Sequence, residues 1–500
     1  MVSLFDSSSR SCPDSCNTAF QSSRQKLHNR NLSSFPVFPI EIWLRIFSML
    51  SNDVLVRVAC LSSIFSQIIP CLLVSDLHIS LRNYDYALFN ARCIQQLHLE
   101  ISHFTADAFF HSSLWQLADR MKILRIKLCF PLLHLKSIGG VCAPESLRDL
   151  RIEIRDERVD NMLNQNVLYQ LGIFKNLPKK CKVSIGVELF MNANIVLQSV
   201  VHMYSENLVQ LNIKRQEGIN LLDLAISLKR CPILEHFSLF GQPNSNDLEH
   251  ILFALDGKVL KSLSLEYRNN TVCADLSQFM QLTYLRLRWL PNELIVSSFI
   301  AANLQYLELA GSIQVEAFKF LKNAVKLCHF VWTDCFLRDF NVSPNTSDFF
   351  TLPYVSTFFI SFSDENQHLS KSSRIASFAF VFHLTPNAKK LRIGYGCYRY
   401  SREIIDAISW QNQIENLDCV FYDIPVIYWE SILRHFKHLQ TLSLSVNWLS
   451  EQYFDNIEAI ITVHNSRLRY FITFNDGKKA LTSIEPVPEI LWTKTCGVCI

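Results

Sequence analysis

The chain has 500 residues, of which 49% are hydrophobic, 12% aromatic and 19% charged. This composition excludes wholesale disorder, which needs few apolar residues and a high net charge, and a content of only 12 glycines and 16 prolines excludes collagen-like and low-complexity classes. The length suits about three ordinary domains of ~150 residues or one elongated repeat array, and a net charge of +3 gives no indication of a nucleic-acid or membrane-surface protein.

The cysteines and the first residues of the chain favour an intracellular protein. Sixteen cysteines are scattered from Cys12 to Cys499, too sparsely and irregularly for a secreted disulfide scaffold. Met1 to Asp6 show neither the basic region nor the apolar run of a signal peptide. No window approaches the roughly 18 uninterrupted apolar residues of a membrane span. We therefore expect reduced thiols, no membrane segment, and a location in the cytoplasm, the nucleus or both.

Changes in composition divide the chain into four regions. Residues 1–35 contain ten serines and little periodicity, which is typical of a disordered tail. A short, strongly apolar helical segment follows over residues 36–80. Apolar repeats, about 15 irregular units, occupy residues 81–475, and residues 476–500 are expected to form a second tail.

The first apolar segment is predicted to be a helix with little polar surface. Eight of the eleven residues from Ile40 to Leu50 are apolar, and the three polar ones form one stripe at Glu41, Arg45 and Ser48. Leaving about four such side chains in water forgoes roughly 1.5–3 kcal/mol each. That sum is comparable with the roughly 5–15 kcal/mol that stabilises a whole domain. The helix must therefore be buried in its own domain or covered by a partner.

A second helical stretch follows and ends at Pro70. Its apolar residues recur at spacings of three and four: Val54, Val58, Leu61, Phe65, Ile68 and Ile69. Two or three short helices cannot bury this much surface among themselves, because domains below about 40 residues usually need a disulfide, a metal or an associated chain.

From Leu77 onward a different pattern repeats, apolar-x-x-apolar-x-apolar. Fourteen intervals between the central residues, from Leu97 to Phe471, span 374 residues, or about 27 residues each. Chance spacing in a leucine-rich chain is the alternative, but three successive steps of 26, 26 and 22 residues with six-residue matches argue against it. The clear copies begin at Ile94, Leu147, Leu208, Leu234, Leu260, Leu282, Leu304 and Leu439.

This core and period resemble those of leucine-rich repeats, whose period is about 20–29 residues. Amphipathic helical stretches lie between the strands, and one of them is expected to end at Gly257 as a C-terminal cap. Because a single strand–helix unit cannot bury itself, the units should stack on one another. The predicted fold is an α/β solenoid, curved, with a parallel sheet on its concave side and helices outside.

The helical segment resembles the F-box motif, a short three-helix domain. The match includes Phe38-Pro39-x-Glu41-Ile42, then Ile46-Phe47-Ser48-x-Leu50, and the apolar positions of the second helical stretch. Phe38 stands where the family more often has leucine, and Ser63-Ile64 stands where it commonly has a basic pair. Leu228 to Leu239, with Cys231-Pro232, also resembles the repeats of F-box proteins that carry leucine-rich repeats.

The resemblance implies a substrate-recognition subunit of a Skp–cullin–F-box (SCF) ubiquitin ligase. The F-box would dock on a Skp-family adaptor, and through it on a cullin, while the repeats bind a protein target for ubiquitination. Such a subunit is a non-catalytic adaptor, not an enzyme. The alternative is an interaction scaffold whose N-terminal helices only cap the solenoid. The implied adaptor-binding residues are Phe38, Pro39, Glu41, Ile42, Ile46, Phe47, Leu50, Leu55, Val58, Leu61 and Phe65.

The side chains between the inward leucines should form an open face on the sheet. Parallel pairing is expected to place Tyr284, Arg286 and Arg288 beside Tyr306 and Glu308. Because tyrosine and arginine are enriched in binding hot spots, this group is the candidate target-binding surface. The alternative is a solvated face with a salt link. Residues 361–373 and 341–347 are expected to be polar loops, inert or in contact with the target.

Signals for catalysis, metals and cofactors are weak. The P-loop, G-x-G-x-x-G, H-E-x-x-H and G-x-S-x-G motifs are missing from the sequence. Cys496-Gly-Val-Cys499 is one C-x-x-C pair without a second pair at zinc spacing. Acidic residues interleave with the basic ones on the expected open face, which does not favour nucleic acid. We therefore expect no cofactor, no metal, no nucleic acid and no membrane among the partners.

Overall fold

The structure is a computed structural model that describes the two ends of the chain and the connections between repeats only in part. The described residues are 40–47, 49–50, 54, 58, 76–79, 95–101, 121–130, 143–156, 177–189, 193–215, 220–240, 245–266, 273–288, 293–310, 320–333, 351–361, 371–394, 407, 413–420, 426–446, 456, 459–463, 468–474 and 480–482.

Helices are spread along the described part of the chain. They are α1 Ile40–Phe47, α2 Ala193–Tyr204, α3 Leu221–Leu228, α4 Ser245–Ala254, α5 Ser298–Asn303, α6 Lys371–Leu384 and α7 Val426–His435. The side chain of Asn220 caps the start of α3 by accepting hydrogen bonds from the backbone N–H groups of Leu222 and Asp223. None of the helices in these ranges is long and apolar enough to cross a lipid bilayer.

Short strands alternate with these helices and with turns. They are β1 Asp76–Ile79, β2 Gln96–Ile101, β3 Ile123–Phe130, β4 Asp149–Asp156, β5 Lys182–Leu189, β6 Leu208–Arg215, β7 His236–Phe240, β8 Ser262–Glu266, β9 Cys273–Asp275, β10 Tyr284–Arg288, β11 Glu293–Ile295, β12 Tyr306–Ala310, β13 His329–Thr333, β14 Thr357–Ser361, β15 Lys390–Ile393, β16 Asn416–Val420, β17 Thr441–Val446, β18 Arg469–Phe474 and β19 Ala480–Thr482.

Seventeen of these strands form one sheet in chain order. Each strand from β1 to β18, with β9 and β11 left out, pairs in parallel with the next. β9 and β11 pair with each other in a separate two-stranded sheet. An α/β solenoid with a parallel sheet is therefore the fold, as the repeat pattern predicts.

The sheet extends at both ends beyond the predicted repeat region. β1 lies within residues 36–80 and aligns Leu77 with Leu97. β19 lies within residues 476–500 and pairs with β18 antiparallel. A strand of reversed direction interrupts the parallel stacking at that edge, and terminal repeats of a solenoid need such cover.

Rows of apolar side chains run across the strands and form the core. Within one row, Phe237 is followed in register by Leu263, Leu285, Leu307, Phe330, Phe358, Leu391, Leu417 and Leu442. All of these side chains are buried. Full burial of one such side chain contributes about 1.5–3 kcal/mol, so this row stabilises the stack over the whole span.

Alignment of the central apolar residues of successive repeats predicts Val183 beside Leu211 and Leu442 beside Phe471, and this register is wrong at both places. A bulge between Val183 and Ser184 pairs Val183 with Leu208, so the central Leu211 aligns with Ile185 and not with Val183. The extra residue of a bulge shifts all later pairs. In β18, Tyr470 and not Phe471 lies beside Leu442. The run Tyr-Phe-Ile has no polar residue to mark its alternation, so the wrong residue is easily taken as central.

Polar side chains at the turns tie each repeat to the previous one. Ser146 donates a hydrogen bond of 2.7 Å to the carbonyl of Met121. Asn207 donates to the carbonyl of Cys181 at 2.8 Å, and Asn303 and Asn387 make equivalent bonds to earlier turns. Each of these residues directly precedes the first apolar residue of its repeat, and each satisfies a turn carbonyl that no strand partner reaches.

Gly257 has a packing role and is not the left-handed helix cap that the sequence predicts. Its φ lies outside the left-handed region, and α4 already ends at Ala254. A Cβ atom on Gly257 would lie 2.2 Å from the backbone oxygen of Gln278 in the next repeat. The side-chain amide of Gln278 donates a hydrogen bond of 2.6 Å to the backbone carbonyl of Leu252. The two repeats therefore meet backbone against backbone at this glycine.

We expect Gly257→Ala to destabilise the protein by about 1–3 kcal/mol, because the new methyl group overpacks a contact between two backbones. Gly186→Ala is the matched control, since the nearest atom to its Cβ would be the flexible Cγ of Glu153 at 3.9 Å. Urea unfolding of both variants measures the difference. Equal midpoints for the two variants would contradict the role given to Gly257.

Candidate binding surface on the open face of the sheet

The residues between the buried leucines lie on the opposite face of the sheet, called here the open face. Strand pairing aligns Tyr284 with Tyr306 and Arg286 with Glu308, and Arg288 lies beside Ala310. The five candidate target-binding residues are thus brought together on two adjacent strands, β10 and β12. They belong to open-face rows that continue over the neighbouring strands.

Glu308 is the centre of this group. Its side chain is only 6% exposed. One carboxylate oxygen, Oε1, lies 2.8 Å from Nε of Arg286 and accepts a hydrogen bond of 3.3 Å from Nε of Arg288. The other oxygen accepts a hydrogen bond of 3.2 Å from the hydroxyl of Tyr306. A buried charge is tolerated when it is paired and hydrogen-bonded in this way.

Two neighbours that the sequence analysis did not assign to the group complete it. The guanidinium of Arg286 lies over the ring of Phe240, 5.2 Å from its centroid. Nη1 of Arg288 lies 3.8 Å from Oε2 of Glu266. Phe240 is on β7, with β8 between it and Arg286, so a pattern of adjacent strands could not reveal this contact. Glu266 is the aligned neighbour of Arg288 and was within reach of that pattern.

An aromatic row borders the charged group. The rings of Tyr284 and Tyr306 stack at 4.3 Å with an interplanar angle of 8°, and Tyr306 is 6.4 Å from the ring of His329. Parallel strands place identical positions directly side by side, so aligned aromatic side chains stack. The row offers a flat, partly exposed surface next to the guanidinium groups.

Small polar residues lie on the open face of the adjacent strands. Ser262 and Ser264 of β8 are buried although both lie on the open face. Among the described residues, the hydroxyl of Ser264, Oδ1 of Asn212 and Nδ1 of His236 are buried atoms without a hydrogen-bond partner. Buried polar atoms in folded proteins are usually hydrogen-bonded. These unpaired atoms differ chemically from the carboxylate of Glu308, whose two oxygens both have partners.

Burial lowers the pKa of two histidines on this face. Desolvation lowers the pKa of His236, and the charge of Glu235 opposes the shift. The pKa of His329 is lowered by desolvation and by the charge of Lys390. Both imidazoles are therefore neutral at physiological pH. Nε2 of His236 lies 3.9 Å from Oε2 of Glu235.

A second group on the open face has a similar composition. The guanidinium of Arg392 lies 5.5 Å from the ring centroid of Phe359, and its Nε lies 3.2 Å from Asp418. A Cβ atom on Gly394 would lie 2.9 Å from that ring, so the glycine leaves room for it. The side chain of Asp418 is more exposed than that of Glu308.

The implied adaptor-binding residues are described only in part. Ile42 and Ile46 of α1 are exposed, whereas Phe47 is buried and stacks with Trp43 at 5.4 Å. Leu50 and Val58 are half-buried, and the backbone of Glu41 lies within α1. Phe38, Pro39, Leu55, Leu61 and Phe65 lie outside the described residues.

The remaining candidate features divide between described and undescribed residues. The predicted loop 361–373 is wrong at both ends, because Ser361 is the last residue of β14 and residues 371–373 form the first turn of α6. One lysine and two serines, between the polar loop and an apolar run, carry no helix signal of their own. Residues 341–347 and the Cys496–Cys499 pair lie outside the described residues.

The described part of the chain offers no metal-binding cluster, and two of its buried cysteines have raised thiol pKa values. No group of three or more histidine, cysteine, aspartate or glutamate side chains there can hold a metal ion. Burial raises the thiol pKa of Cys181 to about 11 and that of Cys231 to about 12. Both thiols therefore stay protonated and are poor nucleophiles.

No protein-family model and no curated protein matches the chain. Among solved structures, it is similar to the leucine-rich repeat-containing protein LegL7 from Legionella pneumophila, at 13% identity and a TM-score of 0.32, over 75% of this chain and 98% of that one. An internalin (inlF) from Listeria monocytogenes is similar at 11% identity and a TM-score of 0.29, over 78% and 88%. TM-scores this low do not support a fold assignment, so the solenoid assignment rests on strand order and register.

We expect Glu308→Ala to destabilise the protein by about 3–5 kcal/mol, because it leaves two arginines without their shared buried partner. Asp418→Ala is the matched control. It breaks the Arg392 pair, in which the carboxylate side chain is 21% exposed, so its effect should be about 0–1 kcal/mol. Chemical unfolding compares the two variants. Equal losses of stability would show that Glu308 is not a buried structural centre.

Proposed function

We propose that the chain is a substrate-recognition subunit of an SCF-type ubiquitin ligase. In this role, α1 docks on a Skp-family adaptor that joins a cullin, and the repeat solenoid binds a protein target. The sequence resemblance to the F-box motif supports the proposal, and the second apolar face of α1 is the structural observation that carries it.

Two apolar faces run along α1. Trp43 and Phe47 stack on one side, and Phe47 is buried within the chain. Ile42, Ile46 and Met49 follow at spacings of four and three, and they are 44%, 40% and 77% exposed. Ile42 and Ile46 lie on one side of α1, and Met49 lies in the turn that follows it, where its backbone N–H donates to the carbonyl of Ile46 at 3.2 Å. The inner face thus fixes the helix on its own chain, and the outer face remains free for a partner.

The exposed face is large enough to matter energetically. Covering the exposed parts of three such side chains would contribute about 2–5 kcal/mol, since full burial of each contributes about 1.5–3 kcal/mol. This gain is available to a partner without any change in α1. Because Phe47 is already buried, its place in adaptor binding is to hold the helix in position, and direct contact falls to Ile42 and Ile46.

The arrangement of the chain fits action by proximity. A docking helix near the start and a long binding array behind it can hold a target near the ubiquitin-charged enzyme. Such tethering raises the effective concentration of the target, so no catalytic residue is needed in this chain. The proposal also places the protein in the cytoplasm, the nucleus or both, where ubiquitin ligases of this type act.

The second candidate function is an interaction scaffold in which the N-terminal helices only cap the solenoid. The burial of Phe47 within the chain favours it, because a cap needs no second chain to bury its apolar residues. The two candidates differ in the outer face of α1. A pure cap gives Ile42 and Ile46 no partner, whereas a docking helix needs both.

A pulldown with a Skp-family adaptor separates the two candidates. Wild-type chain should retain the adaptor in stoichiometric amount, and the double change Ile42→Glu with Ile46→Glu should weaken retention at least about tenfold, because it places two charges in an apolar interface. The matched control is Leu222→Glu with Ile226→Glu on α3, since this pair has the same spacing and is 46% and 52% exposed.

The control variant should retain the adaptor as wild type does. Thermal unfolding of both variants excludes loss of fold as the cause. If soluble wild-type chain never retains the adaptor, or if both double variants behave alike, the docking role of α1 must be abandoned.

A further inference from the structure

The unpaired donors of Arg286 and Ser264 lie next to each other on the open face. Strand pairing aligns Arg286 of β10 with Ser264 of β8. We propose that these two side chains form a subsite for one carboxylate group, supplied by an aspartate or glutamate side chain of an extended segment of the target. Calling the ligand a ubiquitination target rests on the proposed function, whereas the subsite itself does not.

Contacts within the chain orient Arg286 but leave some of its hydrogen-bond donors available. Its Nε faces Glu308 at 2.8 Å, and the guanidinium plane lies over Phe240. Its two Nη nitrogens make no hydrogen bond or ion pair with the described residues. A guanidinium carries five N–H donors in a fixed fork, and four of them belong to these nitrogens. The fork is thus held in place with its outer edge open, which is the geometry that binds carboxylate.

The buried hydroxyl of Ser264 is a second, independent feature of the subsite. The residue is 3% exposed, and its hydroxyl has no hydrogen-bond partner among the described residues. It lies between the inward Leu263 and Leu265, so its side chain is on the open face, beside Arg286. A buried hydroxyl left unpaired is unfavourable. A carboxylate oxygen held by the Nη groups of Arg286 could accept the hydroxyl hydrogen as well.

The charges around the subsite favour a ligand with one negative charge. Arg286 and Arg288 are balanced by Glu266 and Glu308, within ion-pair distance. Lys214, in the same open-face row as Phe240 and Glu266, is aligned with Glu188 and adds no surplus charge. A carboxylate brings one negative charge next to Glu266 and Glu308, whereas a phosphate dianion would bring two.

The flanking residues fit an extended peptide. Oδ1 of Asn212 and Nδ1 of His236 are buried polar atoms without hydrogen-bond partners in the described part of the chain. They lie on β6 and β7, on the side of Ser264 away from Arg286. A backbone N–H group of a bound segment could satisfy Oδ1 of Asn212. On the other side, the Tyr284–Tyr306 stack offers a flat surface for a neighbouring side chain.

Display selection of random nonapeptides against the full chain tests the subsite without any adaptor. We expect the selected peptides to share an aspartate or glutamate at one position. Replacing that residue by glutamine or asparagine should lower affinity about 10- to 100-fold. Arg286→Gln in the chain should lower affinity by a similar factor, and the peptide change should then have little further effect. Ser264→Ala, which is too small a change to disturb the fold, should give a smaller loss.

Arg392→Gln is the matched control, because Arg392 also lies over a phenylalanine and faces a carboxylate. It should leave peptide affinity unchanged. Three results would overturn the assignment: selected peptides without a shared acidic position, tighter binding of phosphoserine at that position, or equal losses in the Arg286 and Arg392 variants. If the adaptor pulldown fails but the peptides bind as expected, the ligase role is contradicted and the carboxylate subsite is still supported.

Discussion

In-register stacking of parallel strands is the constraint on which the rest of the structure depends. A single repeat exposes one apolar face to each neighbour and is stabilised only when both neighbours cover it. The unbroken alignment from Phe237 to Leu442 shows how far this register is kept. Breaks in it are few among the described strands, and the bulge at Val183 is absorbed by one extra residue on the next strand.

The same register creates the chemistry of the open face. Because equivalent positions of successive repeats lie side by side, Tyr284 meets Tyr306 and Arg286 meets Glu308 without any long loop to position them. Burial of Glu308 between two arginines then fixes both guanidinium groups before any ligand arrives. Rigid groups of this kind lose little conformational entropy on binding. The solenoid thus supplies both the stability and the preorganisation of the candidate surface.

The sequence predicts the repeats well because alternation of buried and open positions is strong in most strands. It fails where alternation is lost, as in the Tyr470-Phe471-Ile472 run, where the structure places Tyr470 inward. It also fails where a side chain reaches past its neighbouring strand, as Arg286 does to Phe240. The unpaired hydroxyl of Ser264 and the close approach at Gly257 depend on atomic positions, which spacing alone does not contain.

The first helix is the proposed contact with the adaptor, since Phe47 is buried while Ile42 and Ile46 are exposed. Hydrogen–deuterium exchange of the full chain, with and without a Skp-family adaptor, tests most directly whether the exposed side of α1 binds the adaptor. The account predicts slower exchange of the backbone amides from Ile42 to Met49 when the adaptor is added, with strands β7 to β12 unchanged. Identical exchange of those helix amides in both samples would contradict it.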